Sequence, residues 1–290
     1  MKIGYLGPKG TFTHYACEQV VKAEYQSVGN IQLCEFQSLD SLFDALASND
    51  LSAILSPFEN SLEGPVNRVL DSFLNYENIY IRQLYDMPIQ QSLLSYNKAL
   101  RVTHINHVVS MPHAIAQCYQ FLKTHCPKAD IHHAPSTAGS IPLIDALKLP
   151  HESTAVIGHK NIKKFFDIHV VKENINDQKQ NSTQFALIEK SHKTPLIDKK
   201  HNRCLIAFST SKDTPGSLLS VLEIFKSYTI NLTKILSRPK KNESGAYIFY
   251  IEFSIESATL STIETLLSKV TNNCVYLRNL GFYWSSKLND

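Results

Sequence analysis

Several features that define whole classes of protein are scarce or missing in this 290-residue chain. It has only 10 glycines, which excludes glycine-rich repeats and collagen-like structure. Lysine and arginine total 29, and aspartate and glutamate total 26, so the formal net charge is only +3. That balance argues against nucleic-acid or membrane-surface partners. No uninterrupted apolar segment approaches the roughly 20 residues that a membrane-spanning helix needs.

Cysteine is present, but not at the spacing of a metal or redox site. None of the six cysteines forms a Cys-x-x-Cys pair, and most lie in segments with apolar periodicity. The sequence therefore predicts reduced core cysteines. The first residues, MKIGYLGPKG, have the pattern of a strand and a loop, without the apolar core of a signal peptide. These features predict a cytoplasmic protein.

The chain does contain a regular alternation of strand and helix patterns. Up to position 74 the predicted order is βαβαβα, which is typical of an α/β layered sheet. Residues 79–96 are mostly extended, and the alternation resumes over 107–188, with a helix predicted over 112–124. The length favours two domains, and residues 190–202, KSHKTPLIDKKHN, have the composition of a linker. After the linker, the predicted order βαββαβ is that of a ferredoxin-like domain.

Three polar segments follow predicted strands of the first region, at the strand ends where open α/β sheets bind ligands. The first is GPKGTFT, residues 7–13, in which the glycines permit a tight turn and Thr11 or Thr13 can cap a helix. The second is SPFENSLEG, residues 56–64, and the third is STAG, residues 136–139. Taken singly, each segment is better explained as helix capping or an ordinary turn than as a binding site.

Taken in order, the motifs GPKGTF, PFENSLEG, STAG, NSTQF, PGSLL and INLTKILSRP closely resemble those of prephenate dehydratases with a C-terminal ACT domain. The resemblance covers nearly the whole chain. It implies an α/β fold with a bilobed catalytic region resembling a type II periplasmic binding protein, followed by a ferredoxin-like βαββαβ ACT domain. The implied bounds are 1–190 for the catalytic region, 191–202 for the linker and 203–290 for the ACT domain, with lobes at about 1–80 plus 170–190 and about 81–169.

The resemblance also implies an activity, the conversion of prephenate to phenylpyruvate with loss of CO2 and water, in L-phenylalanine biosynthesis. The family uses neither a metal nor an organic cofactor. Thr183 matches the threonine that the family places at the leaving hydroxyl, which needs a proton or a strong hydrogen bond to depart. The positions that match the family's substrate-binding residues are Thr11, Asn60, Ser61, Gly64, Thr137, Gln184 and Phe185.

For regulation, the resemblance implies that L-phenylalanine binds between ACT domains of neighbouring subunits and inhibits the enzyme. The sequence therefore predicts at least a homodimer, and a homotetramer is the alternative. The positions that match the effector-binding motifs are Gly216, Ser217, Leu218, Leu219, Asn231, Leu232, Ser237 and Arg238.

Three positions depart from the family pattern. Gln184 stands where the family usually has arginine, so a fixed positive charge that could grip a carboxylate is missing. Lys9, Arg68 or His159 could compensate for it, and His159 itself replaces a small residue. In the ACT motif, Leu236 replaces a glutamate, a change that could weaken recognition of phenylalanine.

These departures leave three alternatives to prephenate dehydratase. The first is arogenate dehydratase, and the second is a non-aromatising prephenate decarboxylase. The third is a non-catalytic regulatory homologue that binds a small anion, for which Gln184 is the best support. Formation of phenylpyruvate from prephenate separates the leading hypothesis from all three.

Overall fold

The computed structural model describes residues 1–26, 29–192, 197–198, 200–210, 214–240, 245–256 and 258–288. The chain divides into two compact units. The first contains Met1–Ser72, Tyr85–Phe185 and the described residues from Lys287 onward, and the second contains Phe73–Leu84 and Ala186–Ser286. The predicted linker, 191–202, lies partly outside the described residues. The predicted domain bounds themselves stay a prediction.

Residues 1–190 alternate strands and helices. The strands are β1 (Lys2–Leu6), β2 (Gln32–Phe36), β3 (Ala53–Asn60), β4 (Gly64–Pro65), β5 (Ile79–Pro88), β6 (Ser92–Ser95), β7 (His107–Ser110), β8 (Asp130–His133), β9 (Thr154–Gly158), β10 (His169–Lys172) and β11 (Ser182–Lys190). The helices are α1 (Phe12–Glu24), α2 (Leu39–Ala47), α3 (Asn67–Asn75), α4 (Pro112–Ala116), α5 (Tyr119–His125) and α6 (Ser140–Ala146), with 3-10 turns at Val102–His104 and Lys160–Lys164.

The C-terminal part has the predicted order βαββαβ, followed by one short strand. Its elements are β12 (Arg203–Ser209), α7 (Ser217–Ser227), β13 (Leu232–Pro239), β14 (Tyr247–Ser254), α8 (Leu260–Asn272), β15 (Tyr276–Tyr283) and β16 (Ser285–Lys287). Four of these strands form a sheet in the order β13-β14-β12-β15, so that β13 is an edge strand. β13 and β12 each pair antiparallel with β14 and therefore run in the same direction. This is the ferredoxin-like arrangement.

The remaining strands form two sheets built on the same plan. One has the order β16-β5-β11-β3-β1-β2, with β4 paired to β3, and the other has the order β10-β6-β9-β7-β8. In each sheet the last strand but one, β1 or β7, lies between two parallel neighbours. The fold class predicted from the sequence, a bilobed α/β region plus a ferredoxin-like domain, is confirmed. Pairing places β5 in the first sheet and β10 in the second, because β10 pairs antiparallel with β6.

The first two helices form where capping residues and apolar spacing coincide. Thr11 is the N-cap of α1, and its hydroxyl accepts a hydrogen bond from the His14 amide at 3.3 Å. Ser38 caps α2 in the same way. One face of α2 is fully buried, with Leu42 and Phe43 both at 0% exposure. Burial of such a face supplies most of the stability of a short helix.

One predicted helix, residues 112–124, is divided into α4 and α5. The division falls at Gln117 and Cys118, where the chain makes a tight turn. The carboxylate of Asp177 lies at the N-terminus of the second helix, where it accepts hydrogen bonds from the amides of Gln120 and Phe121 at 2.8 and 3.1 Å. A distant acidic residue therefore caps α5. Within the described residues, no helix is both long and apolar enough to cross a bilayer.

Candidate active site

The ends of β3 and β11 bring three of the predicted site residues together. Thr183 is the second residue of β11, and its side chain is buried. The amide nitrogen of Asn60, Nδ2, lies 2.9 Å from Thr183 Oγ1. Ser61 is held beside them, because its backbone N donates to Ser182 O at 2.9 Å and its hydroxyl accepts from Ser182 N at 3.0 Å. Backbone pairing therefore fixes the position of the threonine relative to the asparagine.

The orientation of the Asn60 amide is set by its other bonds. Asn60 Oδ1 accepts hydrogen bonds from the backbone amides of Leu62 and Glu63, at 3.0 and 3.1 Å. Because backbone amides can only donate, the nitrogen of the side chain must face Thr183. Thr183 Oγ1 therefore accepts a bond from Asn60 and keeps its own proton available. No hydrogen bond donated by that hydroxyl is found in the described part of the chain.

A chain of side-chain amides, most of it missed by the sequence analysis, extends from this pair. Asn181 Oδ1 accepts from Asn60 at 2.9 Å, and Asn181 Nδ2 donates to Gln117 Oε1 at 3.1 Å. Gln91 donates to the same Gln117 oxygen at 3.2 Å. The sequence offered a signal only for Asn181, which belongs to the motif NSTQF. Gln91 and Gln117 are distant in sequence and belong to no pattern that marks them.

Thr11 caps α1, as expected if its segment is an ordinary turn. Its hydroxyl donates to Pro8 O at 2.9 Å and accepts from the His14 amide, so both of its hydrogen-bonding functions are used within the loop. The backbone amides of the first helical turn point out of the helix end, an arrangement that can bind an anion. Binding of substrate by Thr11 stays a prediction.

The first and third polar segments, which are 126 positions apart at Thr11 and Thr137, meet in space. Gly10 has φ +88, and a Cβ placed there would lie 2.7 Å from Ile162 and 3.6 Å from Ala138. A larger residue at Gly10 would be strained by its positive φ and would displace the Ile162 side chain. Thr137 is buried, and within the described residues no hydrogen bond of its hydroxyl is found. The Thr137 hydroxyl is therefore able to bind a ligand.

The other predicted substrate contacts are arranged differently. Side chains alternate along a strand, so Gln184 projects from the face of β11 opposite Thr183. Phe185 is only 1% exposed and belongs to the core. Gly64, with φ +82, is the first residue of β4 and pairs with Asn60, with open space around its Cα. No hydrogen bond joins these three residues to the Thr183 hydroxyl in the described part of the chain, and their role in binding stays a prediction.

The three cations considered as replacements for the family arginine also differ in their surroundings. Arg68 is exposed and forms an ion pair with Asp40, and that pairing raises the pKa of the guanidinium. Lys9 is exposed on the first loop. His159 is 1% exposed and packs between aromatic rings. None of them is paired with Gln184 in the bonds found among the described residues.

The buried thiols of Cys17 and Cys118 are unreactive at neutral pH. All six cysteines are free, and burial raises the pKa of Cys17 and of Cys118 to about 12. These thiols therefore stay protonated at neutral pH and are poor nucleophiles. In the described ranges, no group of three or more histidine, cysteine or acidic side chains is arranged to hold a metal ion.

The predicted effector residues divide between the two ends of the strands in the C-terminal sheet. Gly216, with φ +82, is the N-cap of α7, and Ser217 begins that helix beside the end of β12, where it donates to Thr210 at 3.0 Å. Strand register places Ser237 at this same end of the strands. Asn231, which precedes β13, lies at the opposite end, about 20 Å away by the rise of an extended chain. The other members divide in the same way, with Leu218, Leu219 and Arg238 at the first end and Leu232 at the second.

Polar strand ends that meet around a buried threonine, in a bilobed α/β unit, define a class of protein that binds small polar ligands at the ends of its strands. The family model described as prephenate dehydratase matches residues 3–193. The chain belongs to the prephenate dehydratase family.

Similarity to known proteins extends over the full length of the chain. The prephenate dehydratase of Methanocaldococcus jannaschii is 32% identical over 279 residues, covering 96% of each chain. The crystal structure of prephenate dehydratase from Arthrobacter aurescens in complex with L-Phe is 25% identical, with a TM-score of 0.84, and covers 98% of this chain and 90% of that one. The structure from Staphylococcus aureus is 26% identical, with a TM-score of 0.80, and covers 98% and 100%.

These similarities confirm the family predicted from the sequence motifs and the assignment of the chain as a prephenate dehydratase. They leave the roles of individual residues, the identity of the C-terminal unit as an ACT domain and the number of subunits as predictions. The geometry of Thr183 and Asn60 is the basis for the mechanism that follows.

Proposed function

We propose that Thr183 is the catalytic residue for the decarboxylating dehydration of prephenate to phenylpyruvate. Loss of CO2 leaves an electron pair that moves into the ring, and the ring becomes aromatic as hydroxide departs. Departure is assisted when Thr183 gives its proton to the hydroxide, which leaves as water, and solvent then reprotonates the threonine. The observation that carries this proposal is the bond from Asn60 to Thr183 at 2.9 Å, which leaves the threonine proton free to be donated.

Neutral donors are proposed to hold the two carboxylates of prephenate. The first-turn amides of α1 and the hydroxyl of Thr137 belong to adjacent loops at strand ends. Amides at a helix N-terminus carry partial positive charge and bind anions without a cationic side chain. This arrangement supports binding of a dianion although Gln184 is neutral.

Phenylpyruvate formation by the purified chain tests the activity, and Thr183→Val tests the residue. Val keeps the shape of threonine but has no proton to donate, so kcat should fall by about 10²–10⁴. Thr154→Val is the matched control, since Thr154 is also a buried strand threonine and donates to Pro150 O at 2.6 Å. No turnover by the wild type at saturating prephenate would refute the activity, and faster turnover of arogenate would refute the substrate. An active Thr183→Val variant would refute the role of the hydroxyl.

Phenylalanine is proposed to act as an effector at an interface between two copies of the C-terminal unit. The crystal structure of the Arthrobacter aurescens relative is a complex with L-Phe. In this chain β13 is an edge strand, so two copies can pair along it antiparallel about a twofold axis. Such pairing would bring Asn231 of one subunit beside Ser237 of the other. The effector residues at the two ends of the strands would then lie close together across the interface.

Calorimetry with L-phenylalanine, together with sedimentation of the same samples, tests this arrangement. Binding should occur in a dimer or larger assembly, and Asn231→Ala should weaken it. Ser227→Ala, at the far end of α7, is a control expected to leave binding unchanged. A monomer that binds phenylalanine tightly would refute the shared site. A cytoplasmic location stays a prediction from the reduced cysteines.

A further inference from the structure

His159 forms a contact between the two lobes of the first unit. It directly follows β9, a strand of the second lobe, and its side chain is almost completely buried. The centroid of its ring lies 5.0 Å from that of Phe12 and 4.5 Å from that of Tyr15. Both partners belong to the start of α1, in the first lobe. Aromatic contacts at these distances have the geometry of favourable ring pairs.

Neighbouring residues strengthen the same contact. The ring of His14, also on α1, lies 5.1 Å from that of Phe165, which follows the 3-10 turn after His159. The Lys164 ammonium lies 5.9 Å from the centroid of the Tyr15 ring. We call the set Phe12, His14, Tyr15, His159 and Phe165 the aromatic junction. It attaches the first turns of α1 to the segment that leaves β9.

The aromatic junction adjoins both turns that are proposed to bind carboxylates. Thr11 directly precedes Phe12 in sequence. Gly158 directly precedes His159, and a Cβ on this glycine would lie 3.6 Å from Thr137. A shift of His159 relative to Phe12 would therefore change the spacing between the Thr11 and Thr137 turns.

We propose that His159 is a positioning residue that sets the spacing of these two turns and hence the fit of the dicarboxylate substrate. The proposal rests on the proposed function of the cleft. It gives a physical role to a residue that replaces a small side chain of the family pattern. A small residue there would leave a void of about one ring at the junction, and surrounding groups relax only partly into such voids.

Two properties of His159 can be separated by substitution. Its ring fills the space between Phe12 and Tyr15, and its Nδ1 accepts a weak hydrogen bond from the Asn161 amide at 3.4 Å. His159→Phe keeps the ring and removes the acceptor. His159→Asn keeps an acceptor and removes the ring, and His159→Ala removes both.

Steady-state kinetics with prephenate distinguishes these properties. His159→Ala and His159→Asn should raise KM by about tenfold with kcat within about threefold of the wild type, because substrate fit is lost while Thr183 is intact. His159→Phe should restore KM to within about threefold. His151→Ala is the matched control, since His151 also stacks on a tyrosine ring, Tyr96 at 4.4 Å, but lies outside the junction. Its KM should match that of the wild type.

Hydrogen–deuterium exchange gives a second measurement that does not depend on activity. Peptides covering 7–15 and 136–140 should exchange faster in His159→Asn than in His159→Phe, and this comparison remains available if His159→Ala does not fold. A wild type without turnover would refute the proposed function and leave the exchange comparison as the test of positioning. Equal exchange in the two variants, or a His159→Phe variant with the KM of His159→Asn, would overturn the proposal. A fall in kcat in every variant would overturn it as well, because it would indicate a chemical role.

Discussion

Replacing Asn60 with aspartate isolates the hydrogen bond on which the mechanism depends. The substitution keeps the side-chain shape and the oxygen that accepts from the amides of Leu62 and Glu63. It replaces the nitrogen, which in the wild type donates towards Thr183 Oγ1 and Asn181 Oδ1 at 2.9 Å and towards Ser182 O at 3.0 Å. In the variant, all three acceptors face a carboxylate oxygen. Only Thr183 can respond, by turning its own proton towards that oxygen.

Two separate losses follow from this geometry. The amide has two hydrogens, so about two hydrogen bonds are lost, at about 1 kcal/mol each, with a further 1–3 kcal/mol for a buried acceptor left without a donor. The free energy of unfolding should therefore fall by about 3–5 kcal/mol. Catalysis should fall separately, because the proton of Thr183 is held by Asp at position 60. A lost general acid lowers kcat by about 10²–10⁴, which corresponds to about 3–5 kcal/mol in the barrier.

Phenylpyruvate formation and urea unfolding of the same preparations measure the two losses. Asn97→Asp is the matched control, because Asn97 accepts from the Ala99 amide at 2.9 Å and donates to Glu152 O at 3.0 Å in the same unit. It should lose stability while keeping kcat. An Asn60→Asp variant that folds and retains kcat within about threefold of the wild type would refute the argument that Asn60 frees the threonine proton.

Three further changes test other parts of the structure. Gln184→Arg should change kcat by less than about threefold, since its side chain leaves β11 on the face opposite Thr183; a large gain in turnover would contradict this placement. Burial lowers the pKa of His14, whose Nδ1 accepts from the Gly10 amide, so stability present above the ordinary pKa of about 6.5 should be lost as the pH falls below it. Urea midpoints from pH 8 to pH 5 should therefore fall less in His14→Phe than in the wild type, and equal falls would exclude this histidine as a cause. Arg278 donates to two backbone carbonyls of the second unit, so Arg278→Met should lower the free energy of unfolding by about 2–3 kcal/mol, whereas an unchanged midpoint would show that these bonds contribute little.

The sequence predicted the elements well because each carries a local signal. The βαββαβ order of the second unit was visible as alternating apolar residues in β14 and as helical spacing in α7 and α8. Thr11 was identified as a cap because capping depends on residues only three positions apart. The interruption between α4 and α5 was not predicted, since it depends on Asp177, about sixty positions further along the chain.

The motifs named candidate site residues one by one, but they did not predict the hydrogen bonds between those residues. Asn60 and Thr183 were both identified from motifs, and they are 123 positions apart. Their hydrogen bond exists only because the last residue of β3 lies beside the first residues of β11 in a particular register. Gln117 and Gln91 could not be identified from the sequence, because their hydrogen-bond partners are distant in the chain and form no local motif with them. Motifs therefore indicate candidate residues for a site, whereas sheet register determines which of them form hydrogen bonds with each other.

The alternation of side chains along β11 also changes the expected effect of the missing arginine. In the sequence, Gln184 is adjacent to Thr183, so the loss of a positive charge there looks like a loss at the reacting hydroxyl. In the strand, adjacency means opposite faces, and the charge would project away from the Asn60–Thr183 pair. In the proposed site, the groups that hold the dianion are neutral: the amides at the start of α1 and the hydroxyl of Thr137, for which no hydrogen bond is found among the described residues. A chain with a net charge of only +3 therefore remains consistent with a doubly charged substrate, because oriented dipoles can replace the side-chain charge.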